Sequence, residues 1–230
     1  MTWHAKATGG YAELSEEATD NAQEVAYMLI THYGWTLEAV AGALGNMQFE
    51  VGLNPWRWQA DNILSRSQAQ SAGNSHGYGL IGWTPARKYQ FNNATYTYQG
   101  QTYIYFPNYD QESYPGYGPN WSDVPGNPND GSAQTQLIGE GMARGSGSLY
   151  YRRSGHVSAS TYITLTDVNR CASEWWWCVE YSAHVSSIPE RQRMARDLYQ
   201  WLVDHGYTPS GGENKFWYLC RMALKQRGCF

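Results

Sequence analysis

Apolar residues recur at helical spacing in two adjacent stretches near the start of the chain. Ala22, Val25, Ala26, Leu29 and Tyr33 line one side of a predicted helix that Ser15 can cap and Gly34 can stop. Leu37, Val40, Ala41, Leu44 and Met47 do the same for a second helix, with Thr36 as cap and Gly52 as terminator. This leaves Glu50 in the last turn, facing the segment that follows. From Leu53 to Trp83 the period breaks into Asn-Pro, Gly-Asn and Gly-rich pieces, which predict a small irregular β region with one helical turn. Thr84-Pro85 then opens a short helix from Ala86 to about Phe91, with Thr as cap and Pro at the first helical position.

Residues 94–131 read as an insertion. TYTYQGQTYIYF alternates Tyr with polar residues around Gln99-Gly100, a hairpin signal, and NYDQESYPGYGPNWSDVPGNPNDGS reads as a long surface loop. Loops of that length in compact domains are usually functional or disordered. Helices resume near Ser132–Ala143, Thr166–Ser182 and Pro189–Leu202, and a last one covers about Asn214–Gln226. No repeat and no second domain is visible. The pattern predicts one α+β domain over residues 1–230, mainly helical with a small β region after the second helix, and a C-terminal helical extension over about 207–230.

Composition narrows the function classes. Lys and Arg number 16 against 20 acids, so the chain lacks the basic excess of a nucleic-acid protein. No apolar run approaches the ~18 residues of a membrane span. The N-terminus shows no charged region followed by an apolar stretch, so no signal peptide is expected. Eleven Trp and 19 Tyr against five Phe point to exposed recognition surface as well as core, because both residues join an apolar face to a polar handle. Cys171 and Cys178 are seven apart in a predicted helix, roughly 10 Å between Cα atoms, and cannot pair there. They either reach Cys220 and Cys229 in the C-terminal segment or remain buried thiols. With no CxxC and no HExxH, neither a metal nor a cofactor is expected.

The candidate chemistry sits in AGALGNMQFEVGLNPWRWQAD, residues 41–61. Glu50 is the one acid between Glu38 and Asp61, and Asn46, Met47, Gln48, Phe49 and Val51 surround it in sequence. Apolar surroundings push a carboxyl toward its neutral form, which a general acid needs near neutral pH. A carboxylate in the last turn of a helix is also disfavoured by the dipole, so its presence without a nearby cation calls for another reason. Glycoside hydrolysis requires such an acid, plus a second carboxylate or a held water. Asp61 is the nominee for that second role, since Asn62 to Tyr109 contains no acid. Trp58, Tyr78 and Trp83 can stack on sugar rings, while Asn46, Gln48 and Gln59 can bond hydroxyl and acetamido groups. Glu174 and Glu180, in the Trp-rich SEWWWCVEYS, read as ion-pair partners of Arg191 or Arg193, and Glu190 to Arg196 as a solvated helix face. Gly73-Asn74-Ser75-His76-Gly77 matches a nucleophile elbow, but the polar SRSQAQSA before it is unlike the buried strand that elbow requires.

Three blocks together, AVAGALGNMQFEVGLNPWRWQ (39–59), GYGLIGWTPARKY (77–89) and, more loosely, IPERQRMARDLYQWL (188–202) after the Trp-rich helix, resemble the phage tail lysozyme family. The resemblance implies a lysozyme-like α+β fold, cleavage of the β-1,4 bonds of bacterial peptidoglycan, and Glu50 in the place of the catalytic Glu. It leaves the second acid open. Two positions depart from the family pattern. Val51 stands where Ser or Thr is common, and Gly82 where Gln is common. The partners implied are peptidoglycan and other phage tail proteins, with no nucleic acid and no membrane. The implied setting is the virion tail, or the host cytoplasm before lysis. A muramidase is the expected activity; a lytic transglycosylase, or a non-catalytic glycan-binding or structural tail component, are the alternatives.

Overall fold

The computed structural model describes residues 3, 14–55, 57, 77, 79–82, 95–98, 101–104, 130–143, 149–181 and 184–208. Helix α1, Glu16–Tyr33, begins where Ser15 accepts a hydrogen bond from the Ala18 N–H and ends at Gly34, which turns left-handed at φ +69°. Helix α2, Leu37–Val51, repeats the design with Thr36 accepting from the Ala39 N–H and Gly52 left-handed at φ +63°. Such caps satisfy end groups that helix geometry leaves unpaired. Leu53 is also left-handed, at φ +59°, an uncommon conformation for a branched residue. It is held by full burial and by the Asn21 side chain, which donates to its carbonyl at 2.9 Å. The chain therefore turns sharply straight after Glu50 and Val51.

The remaining described helices are α3 (Asp130–Ala143), the single turn α4 (Ala159–Tyr162), α5 (Val168–Trp175) and α6 (Ile188–Asp204). The sequence predicts one helix over 166–182. Instead α5 passes into a π-helical turn at Trp176–Glu180, and Tyr181 follows at φ +27°. α4 was not expected. Strands β1 (Thr95–Tyr98) and β2 (Gln101–Ile104) pair antiparallel, Thr95 opposite Ile104 and Tyr98 opposite Gln101, where the Tyr alternation predicts a hairpin. The small β region predicted over 53–83 is not shown. Most of it, like the predicted helices at 86–91 and 214–226, lies outside the described residues, and those described at 52–53 and 79–82 form turns.

α2 is the central element. Every residue from Leu37 to Gln48 is buried, as in a helix packed on all sides. It lies against α5, α6 and α1. Two glycines set the approach. A Cβ on Gly42 would meet Cys171 at 2.4 Å, and one on Gly45 would meet the Ala195 nitrogen and the Arg191 carbonyl at 2.6 Å. Beneath α5, Trp35, Tyr150, Tyr162 and Trp175 stack edge-on or tilted, with ring centroids 5.6–6.2 Å apart along the chain of contacts. The Tyr162 hydroxyl donates to the Ala39 carbonyl at 2.9 Å. These four aromatics are therefore core. Cys171 and Cys178 are buried free thiols, and burial pushes the Cys171 thiol up to about 12; Cys220 and Cys229 lie outside the described residues. Among the described residues no helix is long and apolar enough to cross a membrane.

Gln134 of α3 ties down the segment that follows α2. Fully buried, it accepts from the Leu80 N–H at 2.7 Å and donates to the Pro55 carbonyl at 2.6 Å. Beside it the Gly79 N–H donates to the Arg57 carbonyl at 2.9 Å. Gly79, at φ +80°, has no room for a Cβ because the Gln134 amide oxygen lies 2.4 Å from where it would be. Pro55 and Arg57 are thus held to residues 79–80, on either side in sequence of the stretch that carries Trp58, Gln59, Asp61 and Tyr78.

Candidate active site

Glu50 projects from the last turn of α2 with its side chain 33% exposed, and its carboxylate pairs with Arg191 of α6, which is 1% exposed. The other two nitrogens of that guanidinium are also bonded. Nε donates to the Ser187 hydroxyl and Nη1 to the Asn46 amide oxygen, both at 3.0 Å, and its face lies 4.2 Å from the Phe49 ring centre. Asn46 in turn donates to the Gly42 carbonyl at 2.9 Å and the Ala172 carbonyl at 3.0 Å. One cation, with a partner for each nitrogen, joins α6 to α2 and, through Asn46, to α5. A planar guanidinium suits this position because its fixed fork meets several acceptors at once.

This overturns part of the sequence reading. Glu50 is not left in apolar company; its cation comes from a helix 141 residues further along. Arg191 is not on a solvated face, although Arg193 is, bonding Glu190 and Asp197 along its own helix. Asn46 and Gln48, the glycan contacts expected from the sequence, lie in the buried stretch of α2. Both are fully buried, and Asn46 acts on the site through Arg191. A signal for Arg191 was present. With Met194, Ala195, Leu198 and Leu202 it forms the buried stripe of α6, at offsets of three, four, seven and eleven residues. An arginine on an apolar stripe needs a partner. Trp58, Gln59, Asp61, Tyr78 and Trp83 lie outside the described residues.

A second carboxylate feels the charges of this pair. Glu180 ends the π-turn, and the Trp175 indole N–H donates to it at 3.2 Å. A π-helix has more residues per turn than an α-helix, and that widening is what lets residues five apart meet. Its carboxyl is pushed up to about 8, chiefly by burial and then by the charge of Glu50, while Arg191 and the Trp175 bond act the other way. The expected ion pair of Glu180 with Arg191 or Arg193 is replaced by the Glu50–Arg191 pair. Glu174 faces elsewhere: its carboxylate accepts from the Val157 N–H and meets His156 Nδ1, each at 3.2 Å. With His156 and Cys178 it forms a group whose potential ligand atoms all lie within 4.8 Å of one another, where α5, the π-turn and the segment before α4 meet.

Immediately after Glu180 lies exposed aromatic surface. Tyr181 and Tyr151 are both exposed, with the Arg153 guanidinium 3.2 Å and 5.6 Å from their ring centres. Trp177 packs tilted against Tyr181 at 5.9 Å. The departures at Val51 and Gly82 also have structural reasons. Val51 is buried where the helix ends, and Gly82 has φ +57°, a conformation in which a glutamine would be strained.

Comparison with known proteins agrees with the three-block resemblance. The chain is 42% identical over 74 residues to morphogenesis protein 1 of Bacillus phage B103, a stretch covering 32% of this chain and 18% of that protein. The matched stretch is thus under a fifth of that relative's length. The family model for phage tail lysozyme matches residues 20–202, which takes in most of α1, all of α2, the Glu50–Arg191 pair, Glu180 and nearly all of α6. The chain belongs to the phage tail lysozyme family.

Proposed function

We propose that this protein hydrolyses the β-1,4 bonds between N-acetylmuramic acid and N-acetylglucosamine in bacterial peptidoglycan, with Glu50 as the proton donor. The observation that carries the reading is the construction around Glu50. A partly exposed carboxylate is fixed at the end of a largely buried helix by a buried guanidinium that Asn46 and Ser187 hold in place. Catalytic groups gain from such fixing, because a proton donor must meet the leaving oxygen within hydrogen-bond reach. Protonation of that oxygen lets the glycosidic bond break toward an oxocarbenium-like state, which water then captures. Asp61 is the proposed stabiliser or water-orienting base. Trp58, Gln59, Tyr78 and Trp83 are proposed glycan contacts, joined by the exposed ledge of Tyr151 and Tyr181. The printed name of the phage B103 relative, a morphogenesis protein, favours a virion-borne role beside other tail proteins.

Conversion of Glu50 to Gln tests the assignment. The amide oxygen can still accept from Arg191, so the variant should fold with an unchanged circular dichroism spectrum, yet clear purified cell walls at a rate reduced by at least about a hundredfold. Full activity in that variant overturns the assignment. Mass spectrometry of the fragments separates the two glycan-cleaving chemistries: each hydrolytic cut adds one water, whereas a lytic transglycosylase adds none and leaves an anhydro end.

A further inference from the structure

A nitrogen, a carboxylate oxygen and a sulfur converge away from Glu50. His156, Glu174 and Cys178 each offer one ligand atom, and these atoms all lie within 4.8 Å of one another. Glu174 and Cys178 are buried, while His156 keeps 21% of its side chain open to solvent. We propose that these three residues bind one zinc ion, with water in the fourth tetrahedral position, and that the ion pins the segment carrying Tyr151 to the π-turn. The inference is independent of the role given to Glu50.

The local structure explains why the three meet. Glu174 lies in the last turn of α5 and Cys178 in the π-turn, four residues apart and so on one side of the helix. His156 follows Gly155, whose left-handed φ of +82° closes a tight turn in which the His156 N–H donates to the Arg153 carbonyl at 3.1 Å. That segment is tied to the π-turn twice. The Tyr151 N–H donates to the Cys178 carbonyl at 2.8 Å, and Arg153 Nε donates to the Trp177 carbonyl at 2.7 Å. The His156 ring packs tilted on Trp177 with centroids 5.1 Å apart. The donor atoms are thus aimed by backbone bonds and packing on both sides.

The chemistry of the set selects the metal. Sulfur, imidazole and carboxylate together suit zinc, whereas magnesium and calcium take oxygen ligands. Ligand atoms around tetrahedral zinc stand roughly 3.3–3.8 Å apart, so side-chain adjustments of about 1 Å close the group on the ion. His156 Nδ1 already faces Glu174 Oε2 at 3.2 Å, and the Val157 N–H donates to the same oxygen, an outer bond of the kind that orients a ligating carboxylate. Among the described residues this carboxylate meets no Lys or Arg, although it is buried. An ion supplies the positive charge that a buried carboxylate calls for. On binding, the His156–Glu174 contact gives way to two bonds to zinc, and the Cys178 S–H releases its proton to solvent as the thiolate becomes the third ligand. No oxidation state changes.

The test is a cobalt(II) titration of the full chain, stripped with chelator and kept reduced, followed by displacement with zinc. The wild type should take up one cobalt per chain, with thiolate-to-cobalt charge-transfer absorption and the visible bands of four-coordinate cobalt, and zinc should displace it one for one. Magnesium and calcium should not. Cys178→Ser should lose the charge-transfer band, and Cys220→Ser/Cys229→Ser should keep it. His156 is partly exposed, so His156→Ala should fold with an unchanged circular dichroism spectrum, bind zinc at least about tenfold more weakly, and lose the rise in Tm that zinc gives the wild type. Absence of one-to-one uptake overturns the inference. So does a charge-transfer band that survives in folded Cys178→Ser, and so does an unchanged zinc affinity in His156→Ala, which decides the matter if Cys178→Ser does not fold.

Discussion

At the scale of single residues, one cation does most of the organising. Arg191 is buried at no net cost in unsatisfied donors because Glu50, Asn46 and Ser187 each take part of its fork and Phe49 covers its face. Glu180 beside it carries a stability consequence whose sign can be worked out. Its carboxyl is raised from 4.5 to about 8 in the folded state, so between those values the folded chain holds a proton that the unfolded chain has released. Stability contributed by the neutral form is therefore full below about 4.5 and is lost as pH rises toward about 8, with no further change beyond. Glu180→Gln, which cannot ionise, should flatten that part of the profile. Urea unfolding midpoints at pH 5 and pH 8, compared with the wild type, measure it; an unchanged difference between the two pH values would count against the burial of this carboxyl.

At the scale of elements, the site depends on how closely α2 and α6 approach. Gly45 makes that approach possible, and the atoms its Cβ would meet are backbone atoms of α6, including the carbonyl of Arg191 itself. Such atoms cannot swing aside as the end of a side chain can. Gly45→Ala should therefore shift α6 and cost about 1–3 kcal/mol of stability by overpacking. It should also lower activity more than a core substitution of equal cost placed away from α6, because the shift carries Arg191 off Glu50. Thermal unfolding and wall-clearing rate, measured on the same sample, give both numbers. The two capped helix ends tell a simpler story. Ser15, Gly34, Thr36 and Gly52 occupy the positions that their residue types prefer, and local chemistry alone accounts for them.

At the scale of the whole molecule, the helical body does more than surround Glu50. Through Gln134, α3 holds both ends of the stretch after α2, although Gln134 lies 79 residues beyond Pro55 in the chain. Replacing Gln134 with Leu keeps the volume but leaves the Leu80 N–H and the Pro55 carbonyl buried without this partner, at a cost of about 2–4 kcal/mol for the two. If the bracketed stretch carries glycan contacts, the folded fraction of Gln134→Leu should show a raised apparent KM with a smaller change in kcat. The reverse split would place the contribution of that stretch in the chemical step. Steady-state hydrolysis of solubilised glycan strands distinguishes the two.

The sequence by itself determined the first two helices and their ends, the pairing of 95–98 with 101–104, the family, and Glu50 as an acid at the close of a buried helix. All of these follow from period, from capping residues or from short local motifs, which need no partner distant in the chain. Only the tertiary structure decided what Glu50 touches. Its cation arrives from α6, its acidic neighbour from a π-turn that no periodicity announces, and Asn46, which sequence alone offers to a sugar, is turned inward to hold the cation. Charge pairing and burial are properties of elements brought together, so the meaning of Arg191 and Glu180 appears only once α2, α5 and α6 are packed.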